Sequence, residues 1–335
     1  MSAVVIPDLH IGLVWDGCDR TPDIFDFLKN IIPYVKGRDV IFLGDIFDNI
    51  HVSHKHIAQF INMLHEYKES RCGEIFVLHG NHDGMRNLKH GSPLQEVEAS
   101  GICSVVWSPL TIGRYAFFPH TMEAIEEIAL TKDMIAFCHL DIEGAIPGIE
   151  KEIGQGVDTF LPKWVSKKVK HVFAGHVHHV QKHGNIDIVG ASVRVNTKEV
   201  NELSRIILLE DDNSFQPVIM PSRSITTMKI LYGTPDGEAQ LTALSNMQVT
   251  DHIVSVAIVC PHTEAHKFDH IKFEEDLRKR CYYLRFVFDV VKEKDLRIKE
   301  LDESKSDIEI VKLFLERQNI SDSVEILNCC NEVMQ

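Results

Sequence analysis

Five short apolar runs, each followed closely by polar residues, constrain the fold of this chain more than any other feature. Short apolar runs bounded by glycine or polar residues are typical of buried strands, and the longer stretches between them are amphipathic. Alternating strands and helices indicate a layered α/β fold. The runs and the polar residues after them are residues 3–7 before Asp8, 39–43 before Asp45, 74–78 before Asn81, 134–138 before His139 and 171–174 before His176.

These strand ends carry an ordered series of motifs rich in aspartate, histidine and asparagine. In open α/β sheets, ligands bind at the carboxyl ends of the strands, so the five loops are expected to converge on one site. One such motif alone arises easily by chance, whereas five in order at strand ends indicate a shared function. The motifs are Asp8-x-His10, Gly44-Asp45-x-x-Asp48, Gly80-Asn81-His82-Asp83, His139 and Gly175-His176-x-His178.

The composition is consistent with a metal site and argues against some other functions. The chain of 335 residues has 19 histidines, and histidine is the commonest transition-metal ligand. Its net charge of −14 argues against a protein that binds nucleic acid over its whole surface. A metal-dependent site remains open, because bound divalent ions reverse the local field. The eight cysteines include no CxxC pair, so free thiols are expected.

The motif series resembles the calcineurin-like metallophosphoesterase superfamily, and the resemblance covers about the first 190 residues. The resemblance implies two divalent metal ions, with Mn²⁺ expected first and Mg²⁺, Fe or Zn²⁺ as alternatives. A mixture of carboxylate, amide and imidazole ligands without cysteine suits such ions. The implied ligands are Asp8, His10 and His178 for one metal, Asn81, His139 and His176 for the other, and Asp45 as the bridge between them.

The same resemblance implies the chemistry. Two neighbouring metals lower the pKa of a shared water and hold the phosphoryl oxygens during in-line attack. His82 follows the ligand Asn81 and is expected to give a proton to the leaving oxygen. We expect Asp48 to orient His82, and Asp83 to brace the loop.

The second motif narrows the substrate class. Its form, Gly-Asp-Ile-Phe-Asp, is similar to that of SbcD-type nucleases, and Asn49 stands where protein phosphatases carry an arginine. This resemblance implies a metal-dependent DNA exonuclease and endonuclease, a subunit of an SbcCD-type complex with an SMC-like ATPase. Two alternatives remain: a phosphodiesterase for small molecules such as cyclic nucleotides, and a non-catalytic scaffold that retains a metal site.

Partner surfaces are less clearly marked in the sequence. Residues 54–68 read as a helix with one apolar stripe, which fits either a homodimer interface or a face packed on the core. DNA contact is expected from local basic groups, of which half or more should lie on solvated faces. The candidate groups are Lys163, Lys167, Lys168, Lys170, Arg278, Lys279, Arg280 and Arg285.

The domain organisation follows from a change of pattern after the motif region. We expect a catalytic domain over residues 1–222, closed by a hairpin, and a small α/β capping domain over 223–300 with a strand–helix–strand order. Residues 301–335 form an expected C-terminal helical segment. Its amphipathic helix at 307–318 either docks on the ATPase or packs on its own domain.

Location is predicted from what the sequence lacks. The first residues have no basic region before an apolar core, and no run is long enough to span a bilayer. We therefore expect no membrane contact and a place in the cytoplasm of a bacterial or phage-infected cell.

Overall fold

The computed structural model describes residues 2–84, 91–120, 125, 128–146, 160–194 and 202–291. The chain divides into two compact units. The first unit comprises Met1–Thr227 with Asp251–Val254, and the second Met228–Thr250 with Ser255–Gln335. The predicted C-terminal segment 301–335, with its helix at 307–318, lies outside the described residues.

The described chain contains both strands and helices, and each of the five apolar runs forms a strand, as predicted. The strands are β1 Ala3–Ile6, β2 Val14–Trp15, β3 Cys18–Asp19, β4 Asp39–Phe42, β5 Ile75–Leu78, β6 Ser104–Val106, β7 Leu110–Ile112, β8 Tyr115–Phe118, β9 Ile135–Cys138, β10 His171–Ala174, β11 Gln181–His183, β12 Ile186–Ile188, β13 Arg205–Leu209, β14 Phe215–Ile219, β15 Ile225–Leu231, β16 Ile253–Pro261 and β17 Tyr283–Val291. The helices are α1 Thr21–Val35, α2 His54–Glu69, α3 Leu94–Ala99, α4 Lys163–Lys168, α5 Pro235–Asn246 and α6 His270–Arg278.

Two six-stranded sheets form the centre of the first unit. The first has the order β14-β13-β1-β4-β5-β6, with β1, β4, β5 and β6 parallel. The second has the order β11-β12-β10-β9-β8-β7, with β8, β9, β10 and β12 parallel. The sheets share one apolar core, while α1, α2 and α3 pack on the first sheet and α4 on the second. The predicted α/β/β/α layering is confirmed.

The central strands are mostly apolar because both of their faces are covered. Successive side chains of a strand point to opposite faces. Val5 and Ile41 pack in the core between the sheets, whereas Val4 and Phe42 pack against the helices, and all four are fully buried. This two-sided burial explains the uninterrupted apolar runs and fixes which end of each strand reaches the site.

Helix α2 covers the first sheet through the apolar stripe seen in the sequence. Ser53 caps the helix by accepting a hydrogen bond from the N–H of His56, and the helix continues to Glu69. Phe60 is fully buried and meets Phe42 edge-on, with ring centroids 5.4 Å apart. The stripe is therefore a core face.

No helix in the described part of the chain is long and apolar enough to cross a membrane.

The second unit has its own small α/β structure. Strands β15, β16 and β17 form a three-stranded sheet in that order, and α6 packs against β17. Thr234 caps α5 by accepting a hydrogen bond from the N–H of Gly237, and Asp269 caps α6 in the same way through Lys272. The predicted strand–helix–strand order is confirmed by β16, α6 and β17. The boundaries 1–222, 223–300 and 301–335, and a capping role, stay predictions.

Candidate metal centre

The structure brings all nine predicted site residues together. Strands β1, β4 and β5 of the first sheet, and β9 and β10 of the second, end at one place, and the loops after them carry the predicted side chains. Backbone bonds join these loops: the N–H groups of Leu9 and His10 both donate to Asp45 O, at 3.0 and 2.9 Å. The residues are Asp8, His10, Asp45, Asp48, Asn81, His82, His139, His176 and His178.

One cluster contains Asp8, His10 and His178. Its ligand atoms lie within 4.8 Å of one another, and all three residues are buried. The Nε2 atoms of His10 and His178 are 3.0 Å apart, so the two rings point at the same spot. Asp8 also accepts a hydrogen bond from the N–H of His176 at 2.7 Å, which holds the first and fifth loops together.

A second cluster contains Asp45, His139 and His176, again with ligand atoms within 4.8 Å of one another. Asn81 joins it, since its Oδ1 lies 3.0 Å from His139 Nε2 and 2.9 Å from His176 Nδ1. Asp45 Oδ2 lies 3.2 Å from His139 Nε2 and 3.9 Å from His10 Nε2. Asp45 thus stands between the two clusters. The division of the ligands between two particular metals stays a prediction.

The atoms around His139 fit a divalent cation. His139 Nδ1 lies 2.9 Å from the carbonyl oxygen of Leu43, which only accepts, so Nδ1 carries a proton. In a neutral ring, Nε2 then presents a lone pair to the oxygens of Asn81 and Asp45. Lone pairs that converge in a buried place require a positive charge among them. Together with the oxygen and imidazole ligands, this arrangement suits Mn²⁺, Fe or Zn²⁺.

The pKa shifts of the site residues also indicate that a positive charge is favoured among them. Burial disfavours a charged His139, but the carboxylates of Asp45 and Asp8 outweigh it and raise the pKa of His139 to about 10. Burial would also raise the pKa of Asp45, yet the histidines around it, His139 foremost, hold it well below its usual range. Asp45 is therefore an ionised carboxylate. Burial lowers the pKa of His10 well below its usual value, which favours the neutral imidazole that binds metals.

Three of these residues have a strained backbone. His10, Asp45 and His176 have φ angles of 56°, 46° and 75°, in the left-handed region that residues with a Cβ atom rarely adopt. Each such residue costs about 1–2 kcal/mol. Strain of this kind persists where the surrounding structure enforces it, and it concentrates at functional sites.

His82 lies beside the first cluster and is held by its backbone and its ring. Its N–H donates to Asp45 Oδ1 at 2.9 Å, and its Nδ1 lies 2.7 Å from the backbone oxygen of Asp48. Its ring meets that of His10 edge-on at 4.8 Å. The bond between Asp48 and the His82 ring thus runs through the Asp48 carbonyl, while the Asp48 carboxylate lies 3.7 Å from His10 Nδ1. The catalytic roles of His82 and Asp48 stay predictions.

Asp83 braces two loops, as expected. Its two carboxylate oxygens accept hydrogen bonds from the N–H of Phe47 at 2.9 Å and from that of Gly80 at 3.0 Å. Burial, aided by the nearby Asp45, raises the pKa of Asp83 to about 7. Asp83 is fully buried, so it ties the second motif to the third without facing a substrate.

The three motif glycines were identified from the sequence without an assigned role, and His120 was missed. Gly44, Gly80 and Gly175 each lie so close to a site residue that a Cβ atom would collide with it. His120 follows β8, and its ring centroid lies 6.5 Å from that of His139 and 6.4 Å from that of His176. The signal used for the other loops also exists here, because the apolar strand β8 leads through a proline to a histidine.

Cysteine takes no part in these clusters, and the six cysteines of the described chain are free thiols, as expected. Paired sheets, with buried histidine and aspartate clusters at the ends of their parallel strands, are consistent with the dinuclear metal site of a metallohydrolase. The model of the calcineurin-like phosphoesterase family matches residues 1–180, more than half of the chain. The chain therefore belongs to this family and is a metal-dependent phosphoesterase. No curated protein matches it.

Proposed function

We propose that this phosphoesterase cleaves the phosphodiester bonds of DNA, as the nuclease subunit of an SbcCD-type complex. The main support for hydrolysis is the position of His82. A ring nitrogen of His82 lies within 4.8 Å of the ligand atoms of His10 and Asp45, and two hydrogen bonds fix the residue. Nδ1 is engaged by the Asp48 carbonyl, so Nε2 of a protonated ring is the nitrogen that would give its proton to the leaving oxygen.

When bound, two Mn²⁺ ions supply Lewis acidity and a water of lowered pKa. The protein's contribution is to hold the ligands before the reaction starts. Asp8 and Asp45 each bind a backbone N–H of another loop, so the carboxylates need little rearrangement when metal and substrate arrive. Asp48 acts through its carbonyl to set the direction of the His82 ring.

Support for DNA comes from the second motif, in which Asn49 stands where protein phosphatases have an arginine. Most of the candidate basic groups contact other parts of the protein. Exposed ion pairs contribute only about 0–1 kcal/mol, so a DNA phosphate can replace such a partner at little cost. The contacts are Lys163 with Glu143, Lys168 with the Trp164 ring, Lys170 with the Asp212 carbonyl, Arg278 with Glu274, Lys279 with Asp276 and Arg280 with the Met247 carbonyl.

Two protein partners belong to this proposal. An SMC-like ATPase would bind the C-terminal segment 301–335. A second copy of the chain would form a homodimer through α2. Because Phe60 and Leu64 of α2 are buried in the core, such an interface would use the polar face of the helix.

The test is nucleotide release from linear duplex DNA by wild type and by His82→Ala, with Mn²⁺ and then with excess chelator. We expect release by wild type with Mn²⁺ alone, and a loss of at least about a hundredfold in His82→Ala, the usual contribution of a positioned proton donor. Bound Mn²⁺ per chain, measured on the same samples, should be equal in both proteins, because His82 is not among the proposed ligands.

Each other outcome has a definite meaning. Unchanged release by His82→Ala would remove this residue from the mechanism. Hydrolysis of bis-p-nitrophenyl phosphate without any release from DNA, even with the ATPase present, would reject the nuclease. A screen of cyclic and linear nucleotides would then test the small-molecule alternative. If no ester of any kind were hydrolysed, the alternative of a non-catalytic scaffold would be supported.

A further inference from the structure

We propose that His120 is a further substrate-contacting residue, which hydrogen-bonds a phosphoryl oxygen of the substrate beside His139 and His176. The proposal rests on the proposed function as a phosphodiesterase and adds a residue that none of the five motifs contains. It follows from three observations: the position of the ring, the free state of its nitrogens, and the way its backbone is held.

The ring of His120 stands at the edge of the second cluster. Its centroid is 6.5 Å from that of His139 and 6.4 Å from that of His176. The side chain is partly exposed, whereas His139 is fully buried. His120 belongs to none of the groups whose ligand atoms converge, so it lies next to the candidate metal ligands without being one of them.

The imidazole of His120 makes no hydrogen bond with any residue of the described chain, although its backbone does. Imidazole nitrogens in a largely enclosed place normally find a partner. A neutral imidazole always has one N–H to donate, and a phosphoryl oxygen is a strong acceptor. The chemical class that satisfies this ring, beside a cationic site, is a phosphate ester.

The backbone of His120 is held in place by His79. The N–H of His120 donates to His79 O at 2.8 Å, and His79 Nδ1 donates to His120 O at 3.1 Å. The His79 ring is buried beside Trp107, at 5.3 Å between centroids, and Gly84 leaves room for it. A polar side chain whose backbone is fixed on both sides is suited to meet a ligand at a set position.

The two histidines outside the ligand set lie beside different clusters. The ring centroid of His82 lies 4.8 Å from that of His10 in the first cluster, and the ring of His120 lies beside those of His139 and His176 in the second. A phosphodiester bound across both clusters would meet one histidine at each side. We assign proton donation to His82 and binding of a non-bridging oxygen to His120.

The test measures binding of inorganic phosphate to the Mn²⁺-loaded full chain by calorimetry. His120→Ala should weaken this binding about tenfold, the effect of losing one hydrogen bond to a charged group. His120→Gln keeps an N–H donor and should recover most of the affinity. His183→Ala is the matched control, since His183 is also partly exposed but lies on β11 and bonds Gln181. Its affinity for phosphate should equal that of wild type.

Bound Mn²⁺ and the melting temperature of each variant complete the experiment. Equal metal content and melting temperature, with weaker phosphate binding in His120→Ala alone, would support the proposal. Unchanged phosphate affinity in His120→Ala would overturn it, and so would a loss of Mn²⁺ that accounts for the weaker binding. Absence of phosphate binding by wild type would overturn it as well. Phosphate binding that depends on His120, in a protein that cleaves no phosphodiester, would reject only the proposed function.

Discussion

Glycines at three strand ends set the dimensions of the metal site. A Cβ atom on Gly44 would meet the ring of His139, and one on Gly175 would meet Asp8 Oδ1. One on Gly80 would meet the carboxylate and the backbone nitrogen of Asp45. Their role in the motifs is close approach: the missing side chains let neighbouring loops bring their ligands together.

Substitution of Gly80 by alanine should therefore strongly weaken metal binding. The added methyl group would collide with the backbone of Asp45, which is itself fixed by Leu9 and His10 and cannot yield without moving the candidate bridging ligand. We expect bound Mn²⁺ per chain, measured by elemental analysis, to fall at least about tenfold, because misplaced ligands lose most of their affinity.

Gly113→Ala is the control for this substitution. Gly113 has a φ of 58° and open space around the added atom, so alanine there costs only backbone strain, of about 1 kcal/mol. Its metal content should match that of wild type. Normal metal content in Gly80→Ala, in a protein that is still folded, would contradict the packing argument.

The site residues were predictable to the extent that they follow a strand directly. Asp8, Asp45 and His139 occur within three residues of the end of a buried strand, so the apolar run before each of them indicates its position. His120 lies two residues after the end of β8, so the same rule identifies it. The positive φ angles of His10 and His176 were not predictable, because they arise from contacts between loops that are distant in sequence.

Among the elements, five strands with two covered faces were predicted, whereas β8 and the short edge strand β11 were not. Strands β1, β4, β5, β9 and β10 are apolar except for Asp39 at the start of β4 and His171 at the start of β10, and this makes them visible in the sequence. Strand β11, with the sequence Gln-Lys-His, lies at the edge of the second sheet and exists only because β12 lies beside it. Its composition carries no strand signal.

Helix α1 was also missed, although its signals are present. Pro22 stands in the first turn, where proline is favoured, and Ile24, Phe27, Leu28 and Ile31 are buried at helical spacing. Pro33 within the last turn argues against a helix when taken alone. The packing of its buried face with the first sheet outweighs that local penalty.

Neighbouring strands of the second sheet are joined by a hydrogen-bonded contact between His171 and Asp187 whose effect on stability should depend on pH. His171 Nε2 lies 2.8 Å from Asp187 Oδ2. Burial would raise the pKa of Asp187, but the hydrogen bond and charge of His171 outweigh it and lower the pKa. Since the folded pKa lies below the unfolded value of about 3.9, the stabilisation is complete above that pH and is lost as pH falls through the folded pKa.

Asp187→Asn should accordingly lower the free energy of unfolding by on the order of 1 kcal/mol at pH 6. The difference from wild type should shrink as the pH is lowered below about 4. Denaturant titrations at a series of pH values measure it. The exposed pair of Asp26 with Lys29 gives the control, and Asp26→Asn should change stability little. A difference for Asp187→Asn that is constant over the whole pH range would exclude the ionised carboxylate as its cause.

For the whole molecule, the sequence predicted a division near residue 222, and contacts divide the chain near Thr227. Residues Asp251–Val254 belong to the first unit, and no local sequence pattern predicts this assignment. The cause is a set of long-range bonds: Arg223 pairs with Asp23 and Asp251, and the N–H of Ile253 donates to Ser224 O. Local patterns mark where a unit changes character, but only tertiary contacts decide which unit a short segment joins.

All nine site residues belong to the first unit, so metal binding should protect that unit selectively from amide hydrogen exchange. A ligand that binds only the folded site stabilises it by mass action, and amides whose exposure requires opening of the site exchange more slowly. The amides of Gly80, His82 and His176 are the probes: those of His82 and His176 donate to the site carboxylates of Asp45 and Asp8, and that of Gly80 donates to Asp83, which braces the site loops. Saturating Mn²⁺ should slow their exchange at least about tenfold, whereas the amides of β17 in the second unit should keep their rates. Exchange measured by mass spectrometry with and without Mn²⁺ gives both quantities, and Asp45→Asn removes a central carboxylate as the control. Equal protection of both units would show that the second unit responds to the metal, and unchanged rates at the three probes would contradict the site itself.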